Sequence, residues 1–134
     1  MVKGISHIGI AVRSLEEQIP YYRDLLGLEM TGIETVEDQK VKVAFFLVGD
    51  TRIELLEPIS ENSPIAKFID KKGQGIHHLA YKVDSCNESL EKMEKNGYRL
   101  IDKNSRKGAG GHDIGFLHPK STFGVLTEIT EEHE

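Results

Sequence analysis

The chain has 134 residues, enough for one domain or for two small modules that share a core. Its 38% hydrophobic and 29% charged residues are typical of a globular protein, and its net charge of −5 argues against a nucleic-acid partner. No apolar run approaches the roughly 18 residues that cross a bilayer. The N-terminus lacks a signal peptide, and the single cysteine excludes an intrachain disulfide, so we expect a cytoplasmic protein that binds neither membranes nor nucleic acid.

Residues 4–12 predict a strand with two unlike faces. One face is apolar and should pack on a helix. The other carries one histidine among small side chains, which leave space above the strand for a ligand. The apolar face comprises Ile8, Ile10 and Val12, and the open face comprises His7, Gly9 and Ala11.

A helix should follow this strand. Ser14 and Glu17 have the spacing of a capping box, in which each side chain bonds the backbone of the other residue. The helix should run to about Leu26, because Gly27 suits the left-handed position after a helix end. Pro20 lies inside it and should weaken or bend the first turns.

Three strands complete the first module, residues 4–57, which is therefore β-α-β-β-β. They are predicted at residues 28–37, 41–48 and 52–57. Residues 58–74 form a connector with prolines and glycines near its ends and a short helix from about residue 63 to residue 71.

The second module, residues 75–130, repeats this order. Ser85 and Glu88 form another capping box, and the helix that they begin should end at about Asn96. The other predicted segments are strands at 76–83, 98–102, 113–117 and 125–130, a glycine-rich loop at 105–111, a turn at 118–122 and a frayed tail at 131–134.

The two modules also match residue by residue. His7 and His78 occupy the same place in the first strand of each module, 71 residues apart (78 − 7). Glu54 and Glu128 lie in the last strand of each module, 74 residues apart (128 − 54), so the second module needs a few extra residues, which the turn after residue 118 can hold. This correspondence predicts a gene duplication with a pseudo-two-fold axis.

These four residues suggest a metal site. One histidine on a strand is more often structural than a ligand, but four ligand-type residues at matched positions favour a site made of His7, Glu54, His78 and Glu128. Such a nitrogen and oxygen set suits Co²⁺, Ni²⁺, Zn²⁺ or Mn²⁺. His77 should point to the opposite side of its strand, as a structural residue or as one that supports the ligands.

Basic residues near the glycine-rich loop are candidates for binding an anionic part of a substrate; they are Arg106, Lys107 and Lys120, with His118 beside them. Solubility is the alternative explanation for their charge. The loop lacks the lysine and the strand–helix context of a phosphate-binding P-loop.

The sequence resembles the vicinal oxygen chelate superfamily and, within it, the methylmalonyl-CoA epimerases. The segments that carry the resemblance are residues 21–28, 63–68, 73–78, 116–120 and 124–128. It implies an α+β fold in which two βαβββ modules form a curved mixed sheet around a divalent metal held by the four residues named above. It also implies a coenzyme A thioester as substrate. Glu54 stands where some of these epimerases have glutamine, and Val43 lies close to the position where some have a second catalytic glutamate.

The expected reaction is epimerisation through an enolate, with the metal as Lewis acid and Glu128 as one base. The second base would be Glu54, Glu37 or a water molecule. The alternatives are glyoxalase I (lactoylglutathione lyase), which resembles this chain in fold and ligand set and acts on a glutathione adduct, and a non-catalytic binding protein. A ring-cleaving dioxygenase fits less well, because it uses two histidines and one carboxylate. Short modules with exposed sheet edges favour a homodimer.

Overall fold

The computed structural model describes residues 1–133, which form two compact units. The first unit is residues 7–77, and the second unit is residues 1–6 together with residues 78–133. The first six residues thus group with the second half of the chain rather than with residues 7–57. Within the second unit, Lys3 Nζ lies 3.1 Å from Asp84 Oδ1, and the Ser6 hydroxyl donates to Glu132 at 2.6 Å.

The first unit contains the predicted β-α-β-β-β order followed by a helix. Its elements are β1 (Val2–Ala11, from residue 7 onward), α1 (Leu15–Pro20), β2 (Glu29–Val36), β3 (Val41–Val48), β4 (Thr51–Pro58) and α2 (Pro64–Lys72). Strand β4 pairs with β1 in parallel and with β3 antiparallel, and β3 pairs antiparallel with β2. The strand order is therefore β2-β3-β4-β1.

The second unit has the same topology. Its elements are β5 (Gly75–Val83, from residue 78 onward), α3 (Cys86–Lys95), β6 (Arg106–Lys107), β7 (Asp113–Leu117) and β8 (Thr127–Glu131). Strand β8 pairs with β5 in parallel and with β7 antiparallel, and β7 pairs antiparallel with β6. The order β6-β7-β8-β5 repeats that of the first unit, which confirms the predicted α+β class and the doubled module.

Each unit buries one helix against one face of its strands. In the first unit Val12 and Leu15 pack with Phe46 and Leu55. In the second unit Val83, Cys86, Leu90, Leu117 and Ile129 form the equivalent cluster. Gly115 allows close packing of α3, because a Cβ atom there would lie 2.7 Å from Leu90 Cδ1. The opposite face of the strands is left for other side chains.

The first helix differs from the prediction at Pro20. The α-helical hydrogen bonds stop there, and residues Tyr21–Leu25 form a π-helical turn in which the Leu26 amide donates to the Tyr21 carbonyl at 2.9 Å. Proline has no amide hydrogen to bond the carbonyl four residues earlier. The chain therefore continues as a helix to Leu26, as predicted, but with a changed hydrogen-bonding pattern.

Two predictions in the second module were wrong. Residues 98–102 do not form a strand; they contribute only an isolated bridge between Leu100 and Leu117, and the pairing strand there is β6. Residues 131–133 of the predicted tail are not frayed, because β8 includes Glu131 and the His133 amide donates to His112 Nδ1 at 2.9 Å. Residue 134 lies outside the described residues.

The serine half of each predicted capping box is present, and each helix start has an additional carboxylate. The Ser14 hydroxyl accepts from the Glu17 amide at 3.2 Å, and the Ser85 hydroxyl accepts from the Glu88 amide at 3.3 Å. A glutamate from the end of each unit's last strand accepts from the first helical amide, Glu57 from Leu15 at 2.7 Å and Glu131 from Cys86 at 2.9 Å. A carboxylate at a helix N-terminus also interacts favourably with the helix dipole.

Replacing Ser14 or Ser85 with alanine is expected to lower the free energy of unfolding by about 1 kcal/mol in each case, because a first-turn amide loses its acceptor. Urea denaturation followed by circular dichroism measures the change. Exposed Ser60 provides a control, and Ser60→Ala should have little effect. Equal stability of all three variants and the wild type would contradict the capping role.

No helix among residues 1–133 is long and apolar enough to cross a membrane.

Candidate metal and active site

The first unit places His7 beside Glu54. Strands β1 and β4 run parallel, and Gly9, two residues after the histidine, lies opposite Glu54. His7 Nδ1 is 3.4 Å from Glu54 Oε2, and the two side chains are only 5% and 3% exposed. The glycine has no side chain to separate them, so the open face predicted for β1 does hold a polar pair.

Arg52 also contacts this pair. It lies opposite His7 in the β1–β4 register, and its Nη2 is 3.4 Å from the same Glu54 oxygen. Its guanidinium offsets part of the cost of burying the Glu54 carboxylate.

The second unit places His78 beside Glu128. Strands β5 and β8 run parallel, and Ala80, two residues after the histidine, lies opposite Glu128. His78 Nε2 is 3.3 Å from Glu128 Oε1, and the side chains are 6% and 4% exposed. The fully buried Thr130 donates its hydroxyl to Glu128 Oε2 at 2.6 Å, which leaves Oε1 directed at the histidine.

The two pairs are structurally equivalent. In both units the glutamate lies across a parallel strand pair from the small residue two positions after the histidine. The difference between the 71-residue and 74-residue offsets is accommodated by loop length, since β3 and β4 are joined by Gly49 and Asp50 whereas β7 and β8 are joined by residues 118–126. The predicted location of the extra residues is confirmed.

The geometry of each pair fits metal coordination. Ligand atoms about 2.1 Å from one ion are about 3.0 to 3.4 Å apart when they occupy adjacent octahedral or tetrahedral positions. The measured separations are 3.4 Å and 3.3 Å. A divalent ion would also supply the positive charge that a carboxylate buried to this degree requires. Each pair can therefore provide two neighbouring ligands.

A ring and a guanidinium extend the site in the second unit. Phe116 lies opposite Glu128 in the β7–β8 register, and its ring meets the His78 imidazole edge to face at 5.4 Å between centroids. Arg106 lies over this ring, with its Cζ 5.7 Å from the centroid. The aromatic ring fixes the imidazole orientation and provides an apolar wall beside it.

The predicted substrate-binding cations lie in different environments. Arg106 is paired with Asp102 at 3.0 Å. Lys107 Nζ lies 2.8 Å from Asp113 Oδ1. Lys107, Asp113 and Glu131 are aligned across β6, β7 and β8, and their side chains point to the α3 side of the strands rather than to the Glu128 side. Exposed Lys120 follows β7 in the β7–β8 loop.

The other titratable candidates do not lie in a histidine–glutamate pair. His77 packs edge-on against the Phe68 ring of α2, with centroids 4.9 Å apart, as expected for a structural residue. His118 accepts a hydrogen bond from the Lys120 amide at 3.1 Å. Burial, followed by repulsion from Glu131, raises the pKa of the Cys86 thiol to about 12, so it stays protonated at neutral pH.

Sequence reasoning missed the residues that support the pairs: Arg52, Thr130 and Phe116, and the capping carboxylates Glu57 and Glu131. The capping pair did leave a signal, because each lies three residues after Glu54 or Glu128 and so repeats at the same spacing. Arg52 and Thr130 have no equivalent in the other module, but each lies two residues from its glutamate on the same strand, so strand alternation alone places it on the same face as that glutamate. Phe116 does have an equivalent, Phe45, 71 residues earlier (116 − 45), which lies opposite Glu54 as Phe116 lies opposite Glu128.

Replacing Thr130 with valine is expected to lower metal affinity or turnover by about tenfold to a hundredfold, because Glu128 loses the bond that orients it. Valine has nearly the same shape as threonine, so the fold should persist. Metal titration calorimetry and steady-state rates measure the effect. Thr31→Val, at an exposed position on β2, is the control, and a wild-type result for Thr130→Val would refute the orienting role.

Comparison with known proteins is consistent with this site. The model of the Glyoxalase/Bleomycin resistance protein/Dioxygenase superfamily matches residues 6–116. The uncharacterised Bacillus subtilis protein YqjC is 44% identical over 127 residues, which are 95% of this chain and 91% of YqjC. The ethylmalonyl-CoA/methylmalonyl-CoA epimerase of Cereibacter sphaeroides is 37% identical over 133 residues, which are 98% of this chain and 99% of the epimerase.

A solved structure shows the same relationship. A variant of Streptomyces coelicolor methylmalonyl-CoA epimerase, in complex with 2-nitronate-propionyl-CoA, superposes with a TM-score of 0.96 at 33% identity and covers 98% of this chain and 96% of that one. The fold is therefore the glyoxalase-like fold of the epimerase structures. The chain belongs to the glyoxalase/bleomycin resistance protein/dioxygenase superfamily, and methylmalonyl-CoA epimerases are among its close relatives.

Proposed function

We propose that this protein is an epimerase of methylmalonyl-CoA that acts through an enolate. The observation that carries the proposal is the buried histidine–glutamate pair, repeated in equivalent strand registers, in a chain related to methylmalonyl-CoA epimerases. A repeated pair of this kind has a direct use in stabilising charge, whereas an ordinary core would fill the same positions with apolar residues.

The cofactor in this proposal is one divalent ion, Co²⁺, Ni²⁺, Zn²⁺ or Mn²⁺, held by His7, Glu54, His78 and Glu128. When bound, such an ion acts as a Lewis acid that stabilises negative charge on a carbonyl oxygen. The support lies in the separation of ligand atoms within each pair and in the hard-to-borderline nitrogen and oxygen donors. Arg52 would add positive charge beside Glu54.

Proton transfer is assigned first to Glu128. Thr130 holds one carboxylate oxygen, and the other oxygen faces His78, so the group has a defined orientation in a buried environment. In the proposed reaction Glu128 takes the α-proton on one face of the thioester or returns it there. The Phe116 ring excludes water from this side, which strengthens the electrostatic interactions of the carboxylate.

The opposite face needs a second proton carrier, for which Glu54, Glu37 and a water molecule are the candidates. Glu37 is exposed and begins the 3₁₀ turn between β2 and β3. The structure adds Glu34, which lies opposite Val43 in the β2–β3 ladder; Val43 in turn lies opposite Leu56, two residues after Glu54. Glu34 therefore points to the same face of the strands as Glu54. Single glutamine variants of the three glutamates distinguish these candidates.

The test is hydrogen exchange at the α-carbon. Cobalt-loaded protein is mixed with methylmalonyl-CoA in D₂O, and the α-hydrogen signal is followed by NMR. Metal-dependent loss of the signal far above the rate without protein supports the proposal. Activity on methylglyoxal and glutathione without exchange would replace it with lactoylglutathione lyase activity. Absence of both reactions, with a thioester still bound, would favour a non-catalytic binding protein.

A further inference from the structure

The second unit holds Phe116 in place differently from the way the first unit holds the equivalent residue, Phe45. In the first unit Phe45 is paired with Gly32 along β2, a strand of eight residues. In the second unit the corresponding strand, β6, has two residues, and its register covers Asp113 and Ile114 but not Phe116. Because backbone groups at a partly buried sheet edge need hydrogen-bond partners, another segment has to supply them at Phe116.

Residues 98–102, which do not form the predicted strand, supply these partners. Asp102 Oδ2 accepts a hydrogen bond from the Phe116 amide at 2.9 Å. The Phe116 carbonyl accepts from the Ile101 amide at 2.8 Å and from the Asp102 amide at 3.2 Å. Both backbone groups of Phe116 are therefore bonded to one short segment, which fixes the point from which its side chain starts.

The other oxygen of Asp102 holds a cation on the Phe116 ring. Asp102 Oδ1 accepts from Arg106 Nε at 3.0 Å, and Arg106 Cζ lies 5.7 Å from the ring centroid. Guanidinium groups are attracted to aromatic faces. The Asp102 side chain is only 16% exposed, so this ion pair is less screened by solvent than most surface pairs. One carboxylate thus fixes both the main chain and the ring of Phe116.

The ring connects this arrangement to the histidine–glutamate pair. Strand register places Arg106, Phe116 and Glu128 on the same face of the strands. The Phe116 ring meets the His78 imidazole at 5.4 Å between centroids, with 82° between the ring planes. A ring that left this position would open space beside the imidazole, which would no longer be held toward Glu128.

We propose that Asp102 and Arg106 are positioning residues, which hold the Phe116 ring against His78 and so keep the imidazole directed at Glu128. The expected effect on turnover rests on the proposed function, whereas the expected effect on the imidazole does not. Direct contact between Arg106 and an anionic substrate is the alternative use of this cation. Positioning is favoured because the guanidinium is already engaged with a carboxylate and a ring.

Proton NMR of the metal-free protein tests the ring contact without catalysis. In alkaline buffer, where histidines are neutral, the carbon-bound imidazole protons of His78 carry a shift caused by the Phe116 ring. Phe116→Leu defines their positions without the ring. Asp102→Ala and Arg106→Ala should each move these signals most of the way toward those of Phe116→Leu. Wild-type signals in both variants would overturn the proposal.

Cobalt titration measures the consequence for a metal ligand. Arg106→Ala should bind Co²⁺ about tenfold more weakly than the wild type, with a changed visible absorption spectrum, because the imidazole is no longer held in one orientation. Loss of a nearby cation would by itself favour binding of a metal ion, so a fall in affinity reports lost positioning. Arg106→Lys should restore part of the affinity. Unchanged or higher affinity in Arg106→Ala would refute the positioning role.

The chain offers a matched pair of control variants. Arg23 and Asp24 form an exposed ion pair at 2.9 Å in the first unit. Arg23→Ala and Asp24→Ala remove the same side chains and should leave the His78 signals and the cobalt affinity at wild-type values. The double variant of Asp102 and Arg106 should be no worse than Asp102→Ala alone, because both residues act on one ring. Additive losses would contradict this shared action.

Kinetics separate positioning from substrate contact and from the proposed function. With methylmalonyl-CoA and saturating Co²⁺, Arg106→Ala should lower kcat about tenfold and leave KM nearly unchanged. A raised KM with wild-type His78 signals and cobalt affinity would identify Arg106 as a substrate contact and overturn the proposal. Shifted signals and weakened cobalt binding, in a protein without α-hydrogen exchange, would leave the positioning role intact and refute the epimerase instead.

Discussion

His78→Ala is expected to lower metal affinity by more than a hundredfold and turnover by about a thousandfold, because one neighbouring ligand is lost and the enolate oxygen loses its stabilisation. Metal content by mass spectrometry, affinity by titration calorimetry and α-hydrogen exchange in D₂O measure the effect. His7→Ala should behave in the same way, since His7 has the same relation to Glu54. The fold should persist in both variants, because the apolar cores lie on the other face of the strands.

His77→Ala is the matched control for this experiment. It removes the same side chain from the adjacent position of the same strand, but from the residue that packs against Phe68. We expect normal metal affinity and turnover, with a small loss of stability from the missing ring contact. If His78→Ala bound metal and turned over substrate as well as His77→Ala did, the assignment of the metal site would be wrong.

Glu128→Gln is expected to reduce turnover by a factor of about 10² to 10⁴, because the amide cannot accept the α-proton. Glutamine retains an oxygen that can accept the Thr130 hydrogen bond, so the fold should be unchanged. Metal affinity should fall less than in His78→Ala. The measurement is α-hydrogen exchange with metal saturating, so that any loss of affinity does not contribute to the rate.

Two carboxylates provide comparisons for Glu128. Glu131→Gln changes the same strand on its other face, where it caps α3, so it should affect stability and leave turnover unchanged. Glu54→Gln introduces glutamine, which the resemblance implies at this position in some epimerases. This variant should retain turnover within about tenfold if Glu54 serves only as a ligand. A larger loss would identify Glu54 as the second base. Normal exchange in Glu128→Gln would exclude Glu128 as a base.

Local sequence patterns were sufficient for most of the secondary structure. The alternating faces of residues 4–12 and the largely apolar, valine-containing segment of residues 41–48 correctly predicted strands, since side-chain direction depends only on local backbone geometry. The capping serines located the helix starts for the same reason. The strand predicted at residues 98–102 was wrong because these residues, despite their β-propensity, pair with another strand only through one bridge. The frayed tail predicted from Glu131 onward was wrong because the Glu131 carboxylate caps a helix that is distant in sequence.

The internal repeat allowed the sequence by itself to determine the doubled fold and the four ligand candidates, His7, Glu54, His78 and Glu128, because duplication preserves equivalent positions. Arg52 beside Glu54 and Thr130 beside Glu128 require only the strand assignment, because residues two apart on one strand share a face. Tertiary structure alone decided which residues meet across strands: it paired His7 with Glu54 and His78 with Glu128, and it placed Phe116 beside His78. These contacts depend on strand register, which is set by packing of the whole unit rather than by any local pattern.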